Sequence, residues 1–328
     1  MRFSHIETPG TKMVLNYQVK GLEVPVLQME AERFDASFYL ERLFDSSQKE
    51  KPPLDITIIA KQASGLNGIT ITDLKLSALA PEGDWLVASI TGFHADGTPF
   101  MVDLSASETG RILAIRSDNA GHTGLALDVF PNGSGGRLQL DATIPGYKGL
   151  DGMQGRLRIR DLRVVKSSAL LTALSEQKPR GLDAMIGERG LTFKRVVLPF
   201  TLSKGVIEIT NGKANGPAIG FTIEGQMDRH RQVIHVNGVM VPAYALNSLL
   251  GKVPIVGGIL TGGSGEGVFA LTYRVEGDLD DPQVTINPLS ALAPGILRKM
   301  FEGPKAELPS EEAEQARPES SPNRPPPH

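Results

Sequence analysis

Residues 252–267, KVPIVGGILTGGSGEG, place five glycines in their last ten positions. Glycine-rich loops cradle phosphate when G-x-x-x-x-G-K-[ST] sets a Lys beside the phosphates and a hydroxyl on Mg²⁺. Gly258 to Gly263 has the glycine spacing, but Ser264 and Gly265 stand where the Lys and hydroxyl belong. A dinucleotide-binding turn needs G-x-G-x-x-G between a strand and a helix. Here Gly263-Ser264-Gly265-Glu266-Gly267 leads into VFALTYRVEG, which alternates as a strand, so no helix N-terminus faces an anion. The stretch reads as a turn from an apolar segment into a strand, with glycine where φ is positive or backbones approach closely.

The other residues with chemical potential are scattered. His230 and His235 are five apart on an expected strand and point to opposite faces; His94 and His122 stand alone. Without Cys or a third clustered His, no zinc set is complete, and no metal is expected. Asp278, Asp280 and Asp281 crowd one segment before Pro282, which suits a hairpin turn better than a calcium site. Ser264 lies outside G-x-S-x-G, and Asn132-Gly133-Ser134 matches a glycosylation sequon but serves equally as a turn. No constellation of nucleophile, acid or base emerges, so no catalytic residue and no cofactor are expected.

Composition bounds the rest. The 328 residues suffice for one large domain or two ordinary ones, and 40% apolar with 22% charged residues is ordinary for a folded chain. A net charge of −3 and 5% aromatic residues offer neither a global basic field nor stacking surfaces, so no nucleic-acid partner is expected. Zero cysteines exclude disulfides and thiol catalysis. No segment reaches the roughly 18 apolar residues that span a bilayer. MRFSHIETPGTKMVLNYQ lacks the apolar region of a signal peptide, so taken alone the chain reads as cytoplasmic.

Before residue 303, period-two alternation is the dominant signal. RLQLDATI sets Leu138, Leu140, Ala142 and Ile144 on one face and Arg137, Gln139, Asp141 and Thr143 on the other. In GITITDLKLSAL the apolar parity changes at Asp73, from Ile69 and Ile71 to Leu74 and Leu76; in RLRIRDLRVV it changes at Asp161, from Leu157 and Ile159 to Leu162 and Val164. Such a change needs an extra residue, which a β-bulge supplies, and predicts a sheet that curves. LDITIIA, DWLVASITGF, PFMVDLSAS, GRILAIRSD, GVIEITNGKA, AIGFTIEGQM, QVIHVNGVMV, VFALTYRVEG and QVTINPL follow the same rule.

Helical patterns are few. Ser117-Asp118-Asn119 offers a cap for a helix through Phe130; Ser167–Leu174 with Gly181–Ile186, Pro242–Leu250 and Pro288–Phe301 are the others. These cannot cover a dozen apolar strand faces. The class is therefore mainly β (α+β). Either the faces cover each other in a closed β-sandwich, or a long curved antiparallel sheet forms an apolar groove that covers something other than protein. Residues 303–328, rich in Pro, Glu and Ser, read as a disordered tail.

Four stretches, in order, carry a resemblance: SDNAGHTGLALDVFPNGSGGRLQLDATI (117–144), the segment of 170–193 ending RGLTF, GVMVPAYALNSLLGKVPIVGGIL (238–260) and YRVEGDLDDPQVTINPLSALAPGILRKMF (273–301). The sequence resembles the C-terminal region of the AsmA-like family, nearest to its YhdP-type members. The resemblance divides the chain into a curved β segment (1–116), a β-groove module with helices (117–302) and the tail. It implies an end piece of a bridge-like, periplasmic, membrane-associated transporter moving phospholipid between the inner and outer membranes of a bacterial envelope. Ile69, Ile71, Leu138, Leu140, Leu157, Ile159, Ile219, Phe221 and Ile223 then form the lipid groove. Leu289, Leu292, Ile296, Leu297, Met300 and Phe301, beside Arg298 and Lys299, form either a contact with a membrane surface or an outer-membrane partner, or a plug for the end of the sheet. Family members begin with a membrane anchor and run longer, so an N-terminal anchored companion chain is a further expected partner. The alternative function is a non-catalytic scaffold that regulates outer-membrane protein assembly.

Overall fold

A computed structural model of the protein describes residues 2–8, 10–19, 24–37, 52–127, 130, 132–165, 190–217, 219–242, 270–279 and 281–289. The first half holds β1 (Arg2–Glu7), β2 (Lys12–Gln18), β3 (Val26–Asp35), β4 (Leu54–Ser64), β5 (Thr70–Ala80), β6 (Val87–His94), β7 (Pro99–Ser107) and β8 (Gly110–Ser117). A helix α1 (Ala120–Ala126) follows, then a two-residue β9 (Gly133–Ser134), β10 (Arg137–Pro145) and β11 (Met153–Val164). The last strands are β12 (Leu191–Ser203), β13 (Val206–Asn215), β14 (Ile219–Asp228), β15 (Val233–Pro242), β16 (Ala270–Asp278) and β17 (Pro282–Leu289).

Each strand pairs with its predecessor in the chain, from β1 through β8, then β10 through β17, with β10 joining β8 directly and β9 extending the same edge of β11. The pairs are antiparallel except β3 with β4. The result is one open sheet, not a barrel, and among the described residues the closed sandwich does not occur. The sheet continues across residue 116, since β8 pairs with both β7 and β10.

The parity changes sit where the sequence places them, and they come in matched sets. On β3, Ala31 and then Phe34 are buried; on β4, Ala60 and Ala63; on β5, Leu74 is buried and Ile71 packs with it. Ala31 pairs with Ala60 and Ala60 with Leu74, while Phe34 pairs with Ala63 and Ala63 with Ile71. Three neighbouring strands thus carry the extra residue together and keep register. The mismatch is absorbed at β6, where the register shifts between Thr72 and Lys75. A second set spans Ile159/Leu162 on β11 and Val196/Phe193 on β12. Asp73 (φ 51°) and Asp161 (φ 54°) adopt the left-handed conformation there, which Asp tolerates better than residues without a short polar side chain.

Strand β12 contains Pro199, which argues against a central strand because it donates no ladder bond. It is accommodated at the irregularity between Val197 and Phe200, where the β12–β13 register slips.

Helix α1 shows that the sheet curls. Asn119 caps it, its side chain accepting from the His122 N–H at 3.0 Å. Its start is held to β10 by N–H bonds from Ala120 and Gly121 to the carbonyls of Gly136 and Gly135, at 2.7 and 3.0 Å. Its end receives the Asn67 amide, which donates to the Leu125 carbonyl at 3.0 Å from the one-turn 3₁₀ segment Leu66–Gly68 joining β4 and β5. Strands β5 and β10 are four spacings apart, ~19 Å on a flat sheet at ~4.8 Å each. Five residues of helix rise only ~8 Å. The strand ends must therefore bend toward each other over the helix.

Helix expectations change in detail. α1 ends at Ala126 with Leu127 as its C-cap, short of Phe130. Pro242 belongs to β15, and Pro288 and Leu289 belong to β17 rather than to helices. The remaining helical segments, residues 252–267 and the tail lie outside the described residues. Among the described residues no helix is long and apolar enough to cross a membrane.

Asp73→Val and Asp161→Val are each expected to lower the unfolding free energy by about 1–2 kcal/mol, since both force a β-branched side chain into positive φ. Asp73→Gly and Asp161→Gly should change it by less than about 1 kcal/mol. Urea melts separate the two series, and equal losses would show that the left-handed turn is not what these positions require.

Candidate functional site

Cross-strand pairing collects the inward side chains into rows that run across the sheet. The central row passes from Leu15 through Met29, Ile58, Leu76, Ile90, Val102, Ile115, Leu140 and Leu157 to Leu198, each residue directly opposite the next. A Cβ built on Gly212 would lie 2.9 Å from Leu198 Cδ2, and Gly212 pairs with Ile223. A flanking row runs Leu27, Ile56, Ala78, Ala88, Leu104, Leu113, Ala142, and crosses Gly155 to Phe200.

Burial along the central row is uneven. Met29 and Ile58 are buried, but the seven residues from Leu76 to Leu198 are only half-buried. The three apolar clusters are each drawn from neighbouring strands, and none joins distant parts of the sheet. The middle of the face is thus an aliphatic strip without a second layer among the described residues. Toward the C-terminal strands it becomes buried. Phe221 packs edge-on against Phe193 and Tyr273, with ring centroids 5.6 Å apart in both pairs. Tyr273 donates to the Thr222 carbonyl at 2.7 Å, and burial pushes its phenol pKa up. Gly238 permits this, because a Cβ there would meet the Tyr273 hydroxyl at 2.8 Å and the Thr222 carbonyl oxygen at 1.9 Å.

Polar groups bracket the strip at both strand ends. On β8 the inward positions run Arg111, Leu113, Ile115, Ser117. Arg111 is 2% exposed and donates to the carbonyls of Trp85 (2.7 Å), Gly146 (3.3 Å) and Gly149, tying the β5–β6 and β10–β11 loops together. At the other end, His94 Nε2 lies 3.1 Å from Ser117 Oγ and 3.3 Å from Thr123 Oγ1, and Thr123 donates to Ser117 Oγ at 2.8 Å. Ser117 Oγ also accepts the Asn119 N–H at 3.1 Å. Asn119 donates to Asp96 at 2.7 Å, and the Thr98 hydroxyl holds the Asp96 pKa at about 2. A serine beside a histidine invites a nucleophilic reading. Here the serine is 4% exposed and accepts two hydrogen bonds, and the cluster docks α1 onto the sheet.

Of the expected groove residues, Leu138, Ile159 and Phe221 share one inward row with Val196 and Ala214 between them. Leu140, Leu157 and Ile223 lie on the central row, Ile219 is two positions from Phe221, and Ile71, like Leu76, Ile90 and Phe100, packs against the buried cluster that contains Leu74. Ile69 precedes β5 and is half-buried. Leu289 ends β17 opposite Ala270; Leu292, Ile296, Leu297, Met300 and Phe301 lie outside the described residues. His235 stands 3.9 Å from Glu276 on exposed surface, and among the described residues no group of three His, Asp or Glu is placed to hold a metal. Neither the His94 cluster nor Arg111 stands out in the sequence. Their signal is a polar residue at an inward parity position, Ser117 after Ile115 and Arg111 before Leu113.

No family model matches the chain, and no curated protein and no solved structure matches it.

Burial, helped by the neighbouring His122, holds the His94 pKa below its ordinary 6.5. The unfolded chain then binds a proton that the native site refuses, so this contribution is complete above about pH 6.5 and is lost as pH falls below it. The melting temperature is expected to drop between about pH 7 and pH 5, above the range in which carboxylates titrate. In His94→Gln that drop should shrink; an unchanged slope would assign the effect to other groups.

Proposed function

We propose that the protein is a non-catalytic lipid-binding element whose inward apolar strip holds acyl chains. The observation that carries this reading is the row of seven half-buried aliphatic side chains from Leu76 to Leu198, unbroken across consecutive strands. Each methylene that leaves water for such a strip contributes roughly 0.8 kcal/mol. A chain lying along the row meets the same environment at every strand, so it slides without a large barrier. From Arg111 to Ser117 the strip is six residues wide, ~20 Å at ~3.4 Å per residue, and polar at both margins.

The resemblance to the AsmA-like family supports the finer reading: phospholipid as ligand, a periplasmic and membrane-associated place in a bacterial envelope, and service as the end piece of a bridge between inner and outer membranes. A membrane surface or outer-membrane protein and an anchored companion chain are the partners this reading requires.

Lipid extraction and mass spectrometry on the full chain, purified without strong detergent from a bacterial periplasm, tests it. Stoichiometric phospholipid is expected. Ala88→Trp adds bulk beside Ile90 and should lower bound lipid several-fold with little change in melting temperature. A folded, monomeric protein free of lipid overturns the reading and favours the scaffold for outer-membrane protein assembly.

A further inference from the structure

We infer that the outer face of β10, β11 and β12 is a docking surface for the phosphate layer of an anionic membrane. This does not depend on what fills the apolar strip, which lies on the opposite face.

Arg137, Arg160 and Arg195 stand directly opposite one another on three adjacent strands. Neighbouring Cα atoms in such pairs are only about 4.5–5.5 Å apart, and like charges so placed destabilise a sheet. All three side chains are exposed. Arg156, Arg158 and Arg163 extend the row along β11. The three strands carry two acids, and both are engaged: Asp141 by Arg116 and by Arg158 at 2.9 Å, Asp161 by Lys194 at 2.9 Å. The whole chain is net −3, so this basicity is local. Folding gains nothing from lining up three arginines, and a ligand that neutralises them does.

The chemistry of that ligand follows from what surrounds the charges. Six arginines against one lysine favour a partner that takes planar, bidentate donors, as phosphate does. Each of the three strands has neighbours on both sides, so no free backbone edge invites a peptide strand. No aromatic side chain shares this outer face, which leaves bases of a single-stranded nucleic acid nothing to stack on. A nearly planar array of phosphates is what remains complementary.

The test is co-sedimentation of the full chain with vesicles of phosphatidylcholine alone or mixed with phosphatidylglycerol. Binding to the mixed vesicles only, weakened by salt, is expected. Arg137→Gln/Arg160→Gln/Arg195→Gln should lose on the order of 100-fold in partitioning, with a melting temperature equal to or above wild type. If that variant does not fold, Arg195→Gln alone should lose about fivefold. Unaltered binding by the variants, or equal binding to pure phosphatidylcholine, overturns the inference. So does tighter binding to poly-glutamate or to an oligonucleotide than to vesicles. Extracted lipid reports the apolar strip and vesicle binding reports the outer face, so each reading fails separately.

Discussion

A single layer of strands can bury its apolar face only by curling over it, and this constraint organises the molecule. The inward rows rely on side chains from neighbouring strands for cover, with α1 adding Ala120 to the cluster of the C-terminal strands, because the described residues include no opposing sheet. Where large side chains meet, as at Phe193, Phe221 and Tyr273, the face covers itself. Where the row is built of Leu, Ile and Val, from Leu76 to Leu198, it stays half in solvent. Half-exposed aliphatic surface in a continuous strip is costly unless something occupies it, which is why packing and proposed function are one question here.

Curling has to be built into strands whose hydrogen bonds favour a straight ladder. The solution is one extra residue inserted in step on adjacent strands, so that Ala31, Ala60 and Leu74 stay aligned, as do Phe34, Ala63 and Ile71. The accumulated mismatch is released at a few places, among them the β2–β3 shift after Lys12, the β5–β6 shift after Thr72, and the β12–β13 slip that accommodates Pro199. The left-handed residues Asp73 and Asp161 mark the same line. Twist, bend and the tolerated proline are thus parts of a single geometric device.

The two faces differ in charge as much as in polarity. Inward, Arg111 finds carbonyls and His94 Nε2 finds hydroxyls at the strand ends, while His94 Nδ1 is buried with no hydrogen-bond partner among the described residues. Outward, arginines accumulate on β10–β12 beyond what Asp141 and Asp161 neutralise. Alternation along a strand lets both chemistries occupy the same stretch of chain, with RLRIRDLR supplying an aliphatic floor on one side and a cationic surface on the other.

Much of this was legible in the sequence, for a physical reason. Period-two alternation is local, so RLQLDATI announced its strand and its inward Leu138 and Leu140, and the parity changes at Asp73 and Asp161 announced the bends. Asn119 as a cap was equally local. Strand β12 was harder to see because Pro199 speaks against a central strand unless the neighbouring register is known. What tertiary structure alone decided was whether the apolar faces meet each other or stay open, because face-to-face packing depends on where distant strands lie. It also decided the alignment of Arg137, Arg160 and Arg195, and the meeting of His94 with Ser117 and Thr123. Those residues are separated by tens of positions, and only the register of the sheet and the docking of α1 bring them together.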